Sequence, residues 1–134
     1  MNRISAVVLG VMLLASNVVK ANPPDITSPE YQELLPYSDW IQQQYNQAAL
    51  RCCDIGDARP VEVRTVNNHY QVWFIHPESL TIQPGMHAPV GWQDVPDYAI
   101  LKDAKGRPIH APDGINLAWW YNNEVRCFAL PFEA

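Results

Sequence analysis

The chain has 134 residues with 14 acidic and 9 basic side chains, a formal net charge of −5. That length allows one domain with a modest core. The acidic balance argues against nucleic acid or anionic lipid as a partner.

The first residues divide into the three zones of a secretory leader. Met1-Asn2-Arg3 is the positive start, Ile4 to Ala15 is nearly all apolar, and Val19-Lys20-Ala21 ends a short polar stretch with small residues at the cleavage positions. Cleavage is expected after Ala21. An apolar run of about a dozen residues is too short to span roughly 30 Å of hydrocarbon, which disfavours the alternative of a membrane anchor. Arg3 and Lys20 lie in the leader, so residues 22–134 carry 7 basic and 14 acidic side chains, a net charge near −7.

Asn22 to Pro29 holds three prolines and reads as an extended arm. Ser28 is a suitable N-cap with Pro29 at the first helical position, and Pro36 ends that piece. Ser38 is expected to cap a second piece, with Asp39 in its first turn. Tyr37, Trp40, Ile41 and Tyr45 fall at helical spacing and should lie on a sheet as core rather than form a groove.

A hairpin is predicted from Pro60 to His76 around Asn67-Asn68, because asparagine tolerates the left-handed backbone of a two-residue turn. The turn fixes a register. Val61, Val63 and Thr65 should face Phe74, Val72 and Tyr70 on one side, with Glu62 opposite Trp73 and Arg64 opposite Gln71 on the other. Asn122-Asn123 predicts a second hairpin in which Trp120 faces Val125, Trp119 faces Arg126, Ala118 faces Cys127 and Leu117 faces Phe128. Both its faces are apolar, so it should be covered on both sides. Between the hairpins, a short strand is expected at Gly91 to Val95 and a helical turn at Pro96 to Leu101. A tight turn follows at Asp103 to Gly106.

The mature part has three cysteines, Cys52, Cys53 and Cys127. In an oxidising compartment a bridge from the vicinal pair to Cys127 is the default, with a vicinal Cys52–Cys53 bridge and reduced or intermolecular states as alternatives. Cys53 is taken first as the partner and Cys52 as the alternative.

Cys52-Cys53, three residues, Asp57-Ala58-Arg59-Pro60, a hairpin and a terminal Val125-Arg126-Cys127-Phe128 resemble a group of small secreted bacterial proteins of unknown function. The resemblance spans about Trp40 to Pro131 on short motifs. Members typically have a cysteine where Ala58 stands and another near Pro112. The resemblance implies that those two positions form a bridge lost here as a unit, so one of Cys52 and Cys53 pairs with Cys127 and the other is unpaired. It implies location and architecture, and no activity.

Several residues suggest chemistry. Asp54 and Asp57 could act as paired carboxylates, although aspartates beside a glycine more often stabilise turns, and Arg59 could pair with either. His69, His76, His87 and His110 match no zinc-ligand spacing, and His76 is expected on the core side with Tyr70 and Phe74. Met86 beside His87 would suit copper, but one such pair is common. Cys127 as a nucleophile would need a thiolate that a disulfide removes. Trp73, Trp92 and Trp119, with Arg126 beside the last, are candidate binding residues for a protein or glycan; the alternative is a second core layer under the N-terminal helix.

The predicted fold is α+β and β-dominated: one N-terminal helical segment packed on a bent antiparallel sheet of about five strands, curling toward a small barrel. The expected divisions are a leader at 1–21, an arm and short helical turn at 22–37, and a single globular domain at 38–134. The expected function is a non-catalytic binding or structural role in the cell envelope, periplasmic or secreted. No cofactor, metal or nucleic acid is expected, and no stable membrane insertion after cleavage. A small extracytoplasmic hydrolase or metal-handling protein is the second reading. A third is an inhibitor of an envelope-degrading enzyme, which would present Ile82 to Gly91 as a protruding loop.

Overall fold

Two asparagine pairs set the sheet. Asn67 and Asn68 adopt φ of 50° and 65°, and Asn122 and Asn123 adopt 53° and 63°. Positive φ at both central residues gives the turn whose twist matches that of the flanking strands. The computed structural model describes residues 26–131. The leader expected at 1–21 and the start of the arm lie outside the described residues.

The first hairpin has the predicted register. β1 (Ala58–Val66) pairs antiparallel with β2 (His69–Phe74), with Val61 opposite Phe74, Val63 opposite Val72 and Arg64 opposite Gln71. β3 (Trp92–Asp94) pairs with β2, placing Trp92 beside Trp73 and Asp94 beside Gln71. β4 (Leu117–Tyr121) pairs with both β1 and β5 (Glu124–Ala129). The order β3-β2-β1-β4-β5 is an open sheet, so the expected curl into a barrel does not occur.

Its edges are managed otherwise. β3 is only three residues long. Along β5, Leu101 N donates to Phe128 O at 2.9 Å and Asn46 Nδ2 donates to Arg126 O at 3.0 Å. Short or covered edges leave little for a further strand to pair with.

The second hairpin corrects the predicted register. Trp120 faces Val125 as expected, but Trp119 faces Cys127, Ala118 faces Phe128 and Leu117 faces Ala129. A bulge between Trp119 and Trp120 causes the shift, so Arg126 has no cross-strand partner. Without it, the guanidinium of Arg126 would sit on a covered face opposite Trp119. The bulge lets Arg126 turn aside, where it stacks 4.8 Å from the Tyr121 ring and donates to Arg51 O.

The two faces of β4 and β5 enter two cores. Ala118, Trp120, Val125 and Phe128 join Val61, Val72, Phe74, Leu80 and Val95 on one side. Leu117, Trp119, Cys127 and Ala129 join Ala58, Leu34 and Ile41 on the other. That second layer is helical. α1 (Pro29–Leu34) begins at Ser28, whose Oγ accepts from Tyr31 N at 3.2 Å as predicted. α2 (Ser38–Gln42) buries Ile41, but Ser38 is its first residue rather than its cap. Trp40 meets Trp119 with centroids 6.1 Å apart, whereas Tyr45 points to solvent.

The bridge joins Cys52 to Cys127 with Cα atoms 5.5 Å apart, and Cys53 is unpaired. This corrects the preference for Cys53. Cys52 is fully buried in the helical layer, while Cys53 has φ 84°, a left-handed conformation that turns its side chain out of line with its neighbour's. No helix among the described residues is long and apolar enough to cross a membrane.

Candidate functional site

The helices cover one half of a sheet face and leave the other half open. α1 has six residues and α2 five, so each is only about 8–9 Å long, less than the width of three strands at about 4.8 Å spacing. They lie over Ala58, Leu117, Trp119 and Cys127. On the same face, beyond them, the alternation of β1, β2 and β3 presents Glu62, Arg64, Gln71, Trp73, Trp92 and Asp94.

Two of the four candidate binding residues meet there. Trp73 is 41% exposed and packs edge-to-face on Trp92 with centroids 5.7 Å apart. Residue 91, which leads into β3, is glycine with φ 72°, a backbone conformation that side-chain-bearing residues rarely adopt. Arg64 lies over Trp92 at 4.2 Å from the centroid and donates from Nε to Gln71 Oε1 at 2.7 Å. Gln71 Nε2 in turn donates to Asp94 Oδ1 at 2.7 Å. Exposed Ile75 and Val90, the latter 86% exposed, extend the apolar area. Arg64 was not singled out from the sequence, although the predicted register places it beside Trp73's pair.

The other two candidates stand elsewhere. Trp119 is fully buried under the helices, so for this residue the alternative of a second core layer holds and the binding role does not. Arg126 lies by Arg51 and Tyr121, away from Trp73 and Trp92.

Asp54 and Asp57 do come together, with Arg51 and Cys53, around a cavity of about 360 Å³. Asp54 takes the turn role: its Oδ1 accepts from Gly56 N at 2.9 Å and its carbonyl from Asp57 N at 3.1 Å. Asp57 is only 7% exposed. Burial pushes its carboxyl up to about 7, the Asp54 carboxylate adds to the rise, and the Asp54 backbone N–H and the Arg59 charge oppose it. The Cys53 thiol is also pushed up, by burial first and by Asp57 next. A raised thiol is a poor nucleophile at neutral pH, so this cluster lacks the thiolate that covalent catalysis needs.

The Asp57 shift has a sign that can be measured. The unfolded carboxyl ionises near its ordinary value of 3.8, while the folded one holds its proton to about 7. Between those values the folded state binds the extra proton, so stability falls as pH rises and the full loss, on the order of 4 kcal/mol, is reached above the folded value. Asp57→Asn is expected to flatten this slope and raise stability above neutrality, read from urea midpoints at about pH 5 and about pH 8.

The histidines occupy four separate places. His76 is exposed rather than core-facing, because β2 ends at Phe74 and the chain bends into the turn at Pro77–Ser79. Its Nδ1 lies 3.3 Å from Glu30 and 3.2 Å from Glu78. His110 Nδ1 is 2.9 Å from Leu130 O, the His87 ring lies 6.2 Å from the Trp120 ring, and His69 is 3.9 Å from Asp97. Among the described residues, no group of three or more His, Cys, Asp or Glu is placed to hold a metal ion.

The loop from Ile82 to Gly91 is tied down over most of its length. Ile82 is buried and Met86 packs on the core. His87 N donates to Asn123 Oδ1 at 2.7 Å, and His87 O accepts from Trp120 Nε1 at 2.9 Å. No family model, curated protein or solved structure matches the chain.

Proposed function

We propose that this is an exported, non-catalytic binding domain whose uncovered sheet face engages a protein partner in the cell envelope. The observation that carries the proposal is the Trp73–Trp92 pair, with Trp73 exposed and Trp92 half-buried beyond the reach of the helices and Arg64 over Trp92. Tryptophan and arginine are the residues most enriched at energetic centres of protein interfaces, and Ile75 and Val90 add apolar area beside them. Glu62, Gln71 and Asp94 supply a polar rim.

A glycan is favoured less. Arg64 already occupies one face of Trp92, and the two rings meet at 70°, which is not a flat platform for a pyranose. The hydrolase reading draws no support from the histidines, since none adjoins the Asp54–Asp57 cavity. The inhibitor reading lacks a protruding loop, because residues 82–88 are held against β4 and its turn.

The test is affinity capture from envelope extract with the mature chain, beside Trp73→Ala and a Cys53→Ser control. A partner retained by the parent and by Cys53→Ser but lost by folded Trp73→Ala is expected. Capture that is equal in all three, or absent in all three, would refute the proposal.

A further inference from the structure

At the hairpin end of the open face the aromatic pair gives way to a cavity of about 330 Å³ lined by His69, Asp94, Val95, Pro96 and Asp97. Its chemistry is one-sided. Asp94 uses Oδ1 to accept from Gln71, and its other oxygen has no partner among the described residues. Asp97 is 88% exposed at the side chain, and its carboxylate lies 3.9 Å from His69 Nδ1. The arginine on this face, Arg64, is committed to Trp92 and Gln71. Two carboxylates therefore stand beside Pro96 at this end of the face, and the basic side chain beside them is the exposed His69 ring, 3.9 Å from Asp97.

Such a slot fits a long cationic side chain. Its methylenes would lie on Pro96 while its head reaches the carboxylates, as lysine and arginine side chains do at apolar–polar boundaries. The net charge near −7 of residues 22–134 favours approach of a basic surface in the same sense.

The spacing narrows the partner further. Trp92 and Asp94 are alternate residues of β3 on one side, so the aromatic and acidic positions lie about 7 Å apart. An extended segment with an apolar residue at one position and a basic residue two further on matches that distance.

We infer that the open face, from Trp73 and Trp92 to Asp94 and Asp97, docks an extended segment of a basic protein partner, apolar side chain on the tryptophans and Lys or Arg between the aspartates. This rests on the reading of the face as a protein-binding surface.

The probe is the peptide acetyl-Leu-Ser-Lys-amide titrated into isotope-labelled mature protein, beside its norleucine counterpart and a chitooligosaccharide. The lysine peptide is expected to shift the amides of Trp92, Asp94 and Asp97. The norleucine peptide should bind about tenfold more weakly, the loss of one charge-assisted hydrogen bond at an open site. Asp94→Asn and Asp97→Asn should weaken the lysine peptide similarly; the first keeps an oxygen for Gln71, so the fold is undisturbed. Equal binding of the two peptides, or no shift with lysine, would overturn the inference. Shifts by the oligosaccharide alone would overturn it in favour of a glycan. If Trp73-dependent capture persists in those cases, the binding face survives and only the cationic subsite fails.

Discussion

Arg59→Ala is expected to lower the domain's stability by about 3–5 kcal/mol, in the range of the most damaging single substitutions. Arg59 is fully buried. Its Nε donates to Ser79 Oγ at 2.7 Å, Nη1 to the carbonyls of Ile55 at 2.7 Å and Ala58 at 2.6 Å, and Nη2 to Ser79 O. The guanidinium also lies 5.7 Å from the Tyr31 ring centroid. One side chain thus joins the turn before β1 and the turn at Pro77–Ser79, with α1 against it. Burial lowers its pKa from the ordinary value against the opposing charges of Glu30, Tyr31 and Asp57. An arginine so placed still remains protonated.

Alanine removes the donors and strands three carbonyls away from water, each of which costs about 1–3 kcal/mol when unpaired. Arg59→Lys should rescue only part of the loss, because an ammonium cannot reproduce the planar fork. Urea unfolding of both variants reads the difference. A loss under about 1 kcal/mol for Arg59→Ala would mean that water or repacking satisfies the carbonyls.

Removing the bridge should be comparably damaging. Cys52 and Cys127 are 75 residues apart in sequence, and closing a loop of that length is worth about 4 kcal/mol in the chain-entropy account. Both residues are fully buried in the helical layer beside Trp119, so Cys52→Ala with Cys127→Ala also removes packing. The double variant should lose about 4 kcal/mol, and Cys53→Ala under about 1 kcal/mol, by denaturant titration under oxidising conditions. A large loss for Cys53→Ala and a small one for Cys52→Ala would mean that the other cysteine of the pair carries the bridge.

Local chemistry explains what could be read before the structure was known. Asn67-Asn68 with alternating apolar residues leaves one register that buries Val61, Val63, Val72 and Phe74 together. The second hairpin has apolar residues on both faces, so its pattern looks the same after a one-residue slip. Arg126 was the single clue to the bulge, a charge in a strand with no polar side.

The remaining misses share a cause, contact between segments distant in sequence. Asp57-Ala58-Arg59-Pro60 resembles a surface turn, and only the fold brings Ser79 and Tyr31 around Arg59. Whether the helical segment covers Trp119 or Trp73 depends on which end of the sheet it reaches. Burial of Leu34 and Ile41 beside Trp119 decides that, and leaves Trp73 exposed. Cys52 and Cys53 are equivalent in composition, and the left-handed backbone at Cys53 separates them.

Hydrogen exchange of the mature chain, alone and bound to the partner it captures, tests the open face most directly. Slowed exchange confined to residues 70–75 and 90–97, with residues 52–57 unchanged, is the predicted footprint. Protection centred on the Asp54–Asp57 cavity, with the Trp73–Trp92 face unaffected, would contradict it.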